Sequence, residues 1–151
     1  MKGVIVAGGL GTRLYPLTQA TNKHLLPVYD KPMVFYPIET LVKAGIQEVL
    51  IVVGGPHAGD FIRVLKNGKE LGLKHMEFAY QEGEGGIAAA LSLAEDFADG
   101  GSVAVILGDN TTDADISRAV KEFKGGGVVF LKKVADPKRF GVPVFEGEQI
   151  I

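Results

Sequence analysis

Short apolar runs recur along the chain, separated by stretches in which apolar residues have a helical spacing. The runs are short, β-branched and mostly apolar throughout, and polar residues do not alternate with apolar ones. This pattern is typical of strands that are covered on both faces of a mainly parallel sheet. It predicts five strands, at residues 4–6, 49–53, 76–80, 103–107 and 128–131.

Apolar residues three or four positions apart predict helices between these strands. The stripes are Val34/Ile38/Leu41/Val42, Ile87/Leu91/Ala94 and Ile116/Ala119/Val120/Phe123, with a shorter helix over 60–65. Asp113 is the expected N-cap of the third stripe, and Gly45 and Gly125 are expected to end helices. The alternation predicts a three-layer α/β fold with a Rossmann-like, mainly parallel sheet, in one domain over residues 1–151. Residues 146–148 are expected to turn a final hairpin, with the chain stopping in its second strand.

Composition narrows the class of protein. A length of 151 residues, 46% of them hydrophobic, fits one domain with a real core. The absence of cysteine excludes disulfides, thiolate metal sites and cysteine nucleophiles, and suits a cytoplasmic location. A net charge of −2 disfavours nucleic-acid binding. Apolar stretches are too short for a signal peptide or a membrane span, so no membrane partner is expected.

The segment VAGGLGTRLYPLT, residues 6–18, joins three glycines to an arginine directly after the first strand. Ligands of open α/β sheets bind beyond the carboxyl ends of the strands. Glycines let backbone N–H groups approach an anion, and the guanidinium of Arg13 suits phosphate. The loop alone fits a phosphate cradle and, equally, a tight turn with a surface arginine. It contains neither the G-x-G-x-x-G fingerprint nor a P-loop.

A second motif, NKHLLPVYDKPM at residues 22–33, follows the glycine loop. The combination of G-G-x-G-T-R-L-x-P-x-T with K-x-L-L-P-V-x-D-K-P-M resembles the sugar-1-phosphate nucleotidylyltransferase family. YQEGEGGIAAAL (80–91), LGDN (107–110) and DPKRFGVPVF (136–145) extend the resemblance over the whole chain. It is most similar to the members that join dTTP to glucose 1-phosphate. The resemblance implies the fold of the nucleotide-diphospho-sugar transferases.

The resemblance also implies a reaction and a set of site residues. A sugar 1-phosphate oxygen attacks the α-phosphorus of a nucleoside triphosphate in line, and pyrophosphate leaves. The implied residues are Gly8, Gly9, Gly11 and Thr12 around the triphosphate, Arg13 and Lys23 as catalytic cations on the phosphates, Gln81 and Gly86 at a pyrimidine base, Asp109 as the ligand of Mg²⁺, and Gly141 at the sugar.

The same residues have plainer interpretations when each is taken alone. Lys23 would be a solvated surface lysine, and Gln81 with Gly86 would belong to a polar, flexible loop. Asp109 would be a turn residue or a helix cap, a common use of aspartate. Gly141 would flank a hairpin. These alternatives stay open from the residues themselves, and only the family motifs favour the functional role.

The three histidines, His24, His57 and His75, are not spaced as a metal set. All three are expected to be structural or surface residues.

Other parts of such a site would lie beyond this chain. The resemblance implies a second metal-binding aspartate and an E-K-P segment after Ile151, so the C-terminal part of the fold is expected to be absent. Both a fragment and a naturally short form are compatible with this. Three functions are compatible: formation of dTDP-glucose, a related transfer from UTP, CTP or GTP, and a non-catalytic nucleotide-binding or regulatory module. A homo-oligomer is expected.

Overall fold

The computed structural model describes residues 1–83, 85–138, 140–147 and 149–150. In chain order, the strands are β1 (Lys2–Ala7), β2 (Pro27–Val28), β3 (Lys31–Pro32), β4 (Glu48–Gly54), β5 (His75–Gln81), β6 (Val103–Leu107), β7 (Phe145–Glu146) and β8 (Gln149–Ile150). The helices are α1 (Phe35–Lys43), α2 (Ala58–Leu65), α3 (Gly86–Ser92), α4 (Glu95–Ala98) and α5 (Ser117–Glu122), and 3₁₀ turns lie at Thr12–Leu14, Leu17–Gln19, Lys23–Leu25 and Lys69–Leu71. Within the described ranges, no helix is both long and apolar enough to cross a membrane.

Four of the strands form one parallel sheet in the order β5-β4-β1-β6. The first strand of the chain is therefore internal, with β4 on one side and β6 on the other. Ile5 of β1 lies opposite Ile51 of β4 and opposite Ile106 of β6. The structure confirms the predicted mainly parallel α/β fold.

Neighbouring residues of the inner strands enter different cores, because side chains alternate between the faces of a sheet. One core joins Ile5, Ala7, Val49, Ile51 and Val53 to Ile38 and Leu41 of α1 and to Phe61 and Leu65 of α2. The other joins Val4, Leu50 and Val52 to Ala90, Ala94 and Phe97 in the region of α3 and α4. Both faces of the inner strands β1 and β4 are covered, which explains their uninterrupted apolar runs and confirms the three layers.

The predicted strand at residues 128–131 was wrong. The run is irregular, and its side chains are exposed: Val128 by 57%, Val129 by 64%, Phe130 by 62% and Leu131 by 53%. A strand depends on hydrogen bonds to a neighbouring strand, and none of the described residues pairs with this run. β6 pairs with β1 alone among the described strands, and its Val105 is 42% exposed. Apolar surface is therefore open at that edge of the sheet.

Two helix predictions also need correction. The predicted N-cap at Asp113 was wrong, because α5 begins at Ser117, whose backbone N–H donates to Asp115 Oδ1 at 2.8 Å. The stripe from Ile87 to Ala94 belongs to two short helices, α3 and α4, instead of one.

The predicted hairpin near the end of the sequence is present. β7 and β8 pair in antiparallel fashion, with Phe145 opposite Ile150. The predicted turn residue Glu148 and the last residue, Ile151, lie outside the described residues.

The parallel sheet brings four strand ends to one edge. β1 ends at Ala7 and β6 at Leu107, while β4 and β5 end at the paired residues Gly54 and Gln81. A Cβ atom on Gly54 would lie 3.1 Å from the carbonyl oxygens of both Gly8 and Gln81. The backbone is thus closely packed where the strands end, and the glycine loop begins at that point.

Candidate functional site

The glycine loop leaves β1 and is held against the segment that contains Lys23. Gly11 has a φ of +70°, a backbone conformation that residues other than glycine rarely adopt. A Cβ atom there would also lie 2.8 Å from Cβ of Lys23. The Thr18 hydroxyl donates a hydrogen bond to the carbonyl oxygen of Gly11 at 2.9 Å. The loop is therefore fixed by close contact on the side of residues 18–23.

Gln81, the last residue of β5, connects the glycine loop to the start of α3. Its side chain is 9% exposed. Its Nε2 donates to the carbonyl oxygen of Gly86 at 3.1 Å, and its Oε1 would lie 2.6 Å from a Cβ atom on Gly8. The structure thus brings together three of the predicted site residues, Gly8, Gln81 and Gly86.

Lys23 and Asp109 form an ion pair across the same edge of the sheet. Nζ of Lys23 lies 2.7 Å from Oδ2 of Asp109, and the side chains are 23% and 38% exposed. The lysine side chain runs close to Gly9, where a Cβ atom would lie 3.5 Å from its Cε. Burial acts to raise the pKa of Asp109, but the hydrogen bond and the charge of Lys23 outweigh it and hold that pKa below its usual value. Asp109 is therefore a carboxylate at neutral pH.

Two buried polar residues flank Lys23 in the sequence. Asn22 is 3% exposed and His24 is 2% exposed. Oδ1 of Asn22 accepts a hydrogen bond from the backbone N–H of His24 at 3.0 Å and lies 2.7 Å from Nδ1 of the ring. Burial lowers the pKa of His24 to about 4, the charge of Lys23 lowers it as well, and Asp109 acts in the opposite direction. The imidazole is therefore neutral at physiological pH.

Asn22 was not among the residues singled out from the sequence. A signal for it existed, since asparagine is a preferred residue just before the first turn of a helix. It occupies that position before the 3₁₀ turn Lys23–Leu25. His24 is buried and structural, as expected.

The other two histidines lie at the surface, beside carboxylates. Nδ1 of His57 is 3.4 Å from Oδ2 of Asp60, and Nε2 of His75 is 2.6 Å from Oε1 of Glu77. Neither pair includes a predicted site residue.

Three predicted site residues are not drawn into these contacts. Thr12 and Arg13 are exposed in the turn after the glycine loop, and in the described part of the chain the Arg13 side chain makes no ion pair. Gly141 is exposed, and no atom lies within 4 Å of where its Cβ would be. Their functional roles stay predictions.

Asp109 alone does not complete a metal site. Within residues 1–83, 85–138, 140–147 and 149–150, no group of three or more metal-binding side chains comes together. A single carboxylate still fits Mg²⁺, which is commonly held by one or two protein carboxylates with substrate phosphates and water. The donor type at the sheet edge therefore suits this ion, provided that phosphate oxygens supply further ligands.

Known proteins are similar to this chain in sequence and in fold. The family model described as Nucleotidyl transferase matches residues 2–151. The chain belongs to this family. This nucleotidyl transferase chain is 46% identical over 149 residues to the glucose-1-phosphate thymidylyltransferase of Actinoplanes sp. (strain ATCC 31044 / CBS 674.73 / SE50/110). It is 41% identical over 150 residues to the enzyme of the same name from Neisseria gonorrhoeae. Each alignment covers 97% of this chain, but 49% and 52% of the relatives, so the chain spans about half their length.

A solved structure agrees with the family assignment. The nucleotidyl transferase chain superposes with a TM-score of 0.94 on a crystal structure of a Bacillus anthracis protein assigned as a glucose-1-phosphate thymidylyltransferase, in complex with sucrose. The two are 45% identical, and the match covers 100% of this chain and 62% of the other. The comparisons confirm the predicted family, its fold and the correspondence to an N-terminal part.

The neutral state of buried His24 predicts an acid-dependent loss of stability. An unfolded chain binds a proton on this histidine below pH 6.5, whereas the folded chain does so only near pH 4, so stability falls as the pH drops through that window. The full shift corresponds to roughly 3 kcal/mol. Chemical denaturation at several pH values, without divalent cations, should show this loss in the wild type. It should be absent in His24→Phe, which keeps a ring but cannot titrate. Equal pH slopes for the two proteins would contradict the assignment.

Proposed function

We propose that this chain forms the nucleotide-binding part of an enzyme that transfers a thymidylyl group from dTTP to glucose 1-phosphate, giving dTDP-glucose and pyrophosphate. The observation that carries the proposal is the arrangement at the sheet edge. Gly9 and Gly11 of one loop lie against the side chain of Lys23, whose ammonium is paired with the carboxylate of Asp109. The names of the relatives supply the choice of nucleotide and sugar.

The reaction makes one bond and breaks one. A phosphate oxygen of glucose 1-phosphate bonds to the α-phosphorus of dTTP, and the bond from that phosphorus to the bridging oxygen of the β-phosphate breaks. Pyrophosphate carries away the bonding electrons. Such transfers depend on positioning and on stabilisation of charge, because no protein side chain has to form a covalent intermediate.

The chain's own cations suit that requirement. The loop of Gly8, Gly9, Gly11 and Thr12 would bring backbone N–H groups close to an anion. The side chain of Lys23 lies directly beside this loop. Phosphate oxygens over Gly9 would compete with Asp109 for the Lys23 ammonium. Arg13, exposed at the end of the loop, would neutralise charge on the departing pyrophosphate.

Asp109 is the residue that would hold Mg²⁺, the cofactor of the proposed reaction. When bound, the ion supplies neutralisation of phosphate charge. Asp109 suits this role because it is ionised, partly exposed and located where β6 ends.

Base and sugar would be bound on either side of the phosphates. The amide of Gln81 has both a donor and an acceptor, as a pyrimidine edge requires. Gly86 would let the base approach, because no atom lies within 4 Å of where its Cβ would be. The backbone of Gly141 would contact the sugar. The complete enzyme would be a homo-oligomer.

A pyrophosphate-release assay with glucose 1-phosphate, dTTP and Mg²⁺ tests the reaction, using this chain and the longest available product of the same gene. We expect turnover by the longer form. Thermal-shift measurements with dTTP, UTP, CTP, GTP and ATP should give the largest stabilisation with dTTP. A larger shift with UTP, CTP or GTP would indicate a related transferase. Nucleotide binding without turnover by either form would indicate a non-catalytic module.

Replacing Gln81 should separate binding of the base from binding of the phosphates. Gln81→Ala is expected to weaken dTTP binding by roughly twofold to tenfold per lost hydrogen bond, and to weaken binding of inorganic tripolyphosphate less. Calorimetric titration with both ligands measures this. Gln47→Ala, at another glutamine outside the proposed site, is the control. Equal losses for both ligands would reveal a folding defect instead of a lost base contact.

Replacing Arg13 should weaken binding of the triphosphate and leave the fold intact. A charge-assisted contact contributes roughly 1.5–3 kcal/mol, so Arg13→Ala should lower affinity for dTTP by about tenfold to a hundredfold. Arg118→Ala removes another exposed arginine, which pairs with Glu122 on α5, and should have no effect. Unchanged affinity in Arg13→Ala would refute the assignment of this residue to phosphate.

A further inference from the structure

Asn22 and His24 are more deeply buried than polar side chains in an ordinary surface turn. Both side chains are polar, and both are at most 3% exposed. Burying a polar group is unfavourable unless it is hydrogen-bonded. Lys23, between them, carries its charge out to Asp109 at the sheet edge. The two buried residues therefore hold the backbone from which Lys23 extends.

The amide of Asn22 has one orientation that satisfies its neighbours. Oδ1 accepts a hydrogen bond from the backbone N–H of His24 at 3.0 Å. Its contact of 2.7 Å with Nδ1 of the ring then requires the tautomer that carries its proton on Nδ1. Nδ2 faces an acceptor, the carbonyl oxygen of Gly9, at 3.4 Å. Turning the amide over would set its NH₂ against a backbone N–H and its oxygen against a carbonyl oxygen. One side chain thus joins the glycine loop to the turn of Lys23.

The ring of His24 extends the same contact to the strand end that carries Asp109. The ring lies beside buried Phe61 of α2, with 6.3 Å between the ring centroids. Cδ2 of the ring lies 2.8 Å from where a Cβ atom of Gly108 would be. Gly108 immediately precedes Asp109 and donates its backbone N–H to the carbonyl oxygen of Val6 at 2.8 Å. The imidazole therefore fills the space between α2 and the end of β6.

We propose that Asn22 and His24 act as a buried pair of positioning residues that hold the glycine loop, Lys23 and Asp109 in one fixed arrangement for binding a triphosphate. The inference rests on the proposed function. Asn22 acts through Gly9 and His24, and His24 acts through Gly108, so neither residue has to touch the ligand. Affinity for phosphates would depend on how well the loop is held, separately from the stability of the whole chain.

Two substitutions at Asn22 separate positioning from stability. Asn22→Ala removes all three hydrogen bonds of the side chain. Asn22→Ser keeps an oxygen that can cap the turn of Lys23, because serine is also a good N-cap, but it has no amide to reach Gly9. Asn22→Ser should therefore recover stability relative to Asn22→Ala without restoring the glycine loop. Thr40→Ala is the control, since Thr40 is also buried and its hydroxyl bonds to the backbone oxygen of Tyr36 within α1.

The first measurement is amide hydrogen exchange in the 151-residue chain without nucleotide. Peptides over residues 8–15, which contain the hydrogen-bonded amides of Leu14 and Tyr15, should exchange faster in both Asn22 variants than in the wild type and in Thr40→Ala. The second measurement is calorimetric titration with inorganic tripolyphosphate and with dTTP. Loss of a hydrogen bond near a charged ligand corresponds to about a tenfold loss of affinity, which is expected for both ligands in Asn22→Ser.

The outcomes are distinct for the two proposals. Loop exchange in Asn22→Ser that matches the wild type would overturn the positioning role, as would faster exchange with unchanged affinity for both ligands. If the wild type binds neither ligand, the proposed function fails, and the triphosphate role of the pair fails with it. The exchange data would then still decide whether Asn22 holds the loop.

Discussion

The parallel pairing of β1 with a strand on each side is the constraint on which the candidate site depends. β4 and β6 are distant from β1 in the sequence, and each pairs with it residue by residue in one direction. Parallel pairing requires every strand to end at the same edge. Gly8, Gln81 and Asp109 follow or complete three different strands, and they lie at the same edge of the sheet because those strands are parallel. The position at this edge is what suits the glycine loop to ligand binding, because the same loop elsewhere would be an ordinary turn.

The electrostatics of the site depend on the ion pair of Lys23 with Asp109 and on the neutral imidazole of His24. Lys23 and Asp109 balance each other at 2.7 Å in a partly exposed position, where an ion pair needs little compensation for burial. The buried group beside them, His24, is neutral because burial and the lysine both disfavour its charged form. A second cation next to Lys23 would repel it and compete for Asp109. The site therefore combines a buried, uncharged support with a partly exposed ion pair that an anionic ligand can rearrange.

Local patterns in the sequence predicted the parts of the fold that depend on local causes. The apolar runs of β1, β4, β5 and β6 indicated strands, and the structure has all four. Only β1 and β4 of these are covered on both faces, since Tyr80 of β5 is 54% exposed and Val105 of β6 is 42% exposed. Residues 128–131 have the same local pattern and form no strand, because a strand also needs a partner that its own residues do not specify. The predicted N-cap at Asp113 was wrong because Asp115, two residues nearer the helix, accepts the hydrogen bond from the backbone N–H of Ser117.

The sequence predicted the candidate site only at residues that the family motifs contain. The Lys23–Asp109 pair spans 86 residues, and no periodicity within the chain links the two positions. Only the family motifs placed them in one site. Asn22 was not predicted because a lone asparagine has many uses, and its contacts with Gly9 and His24 exist only in the folded chain. The functional roles of all the predicted site residues stay predictions, because their contacts would be with ligands.

The two cores also limit how this sequence can change in length. Neighbours Val4 and Ile5 belong to opposite faces of the sheet, and the glycine loop starts two residues after Val6. One added or deleted residue within β1 would send each following side chain into the wrong layer and displace Gly8 from the sheet edge. Length variation among natural homologues should therefore collect in exposed segments such as residues 124–127, and the spacing from the first strand to the glycine loop should be invariant.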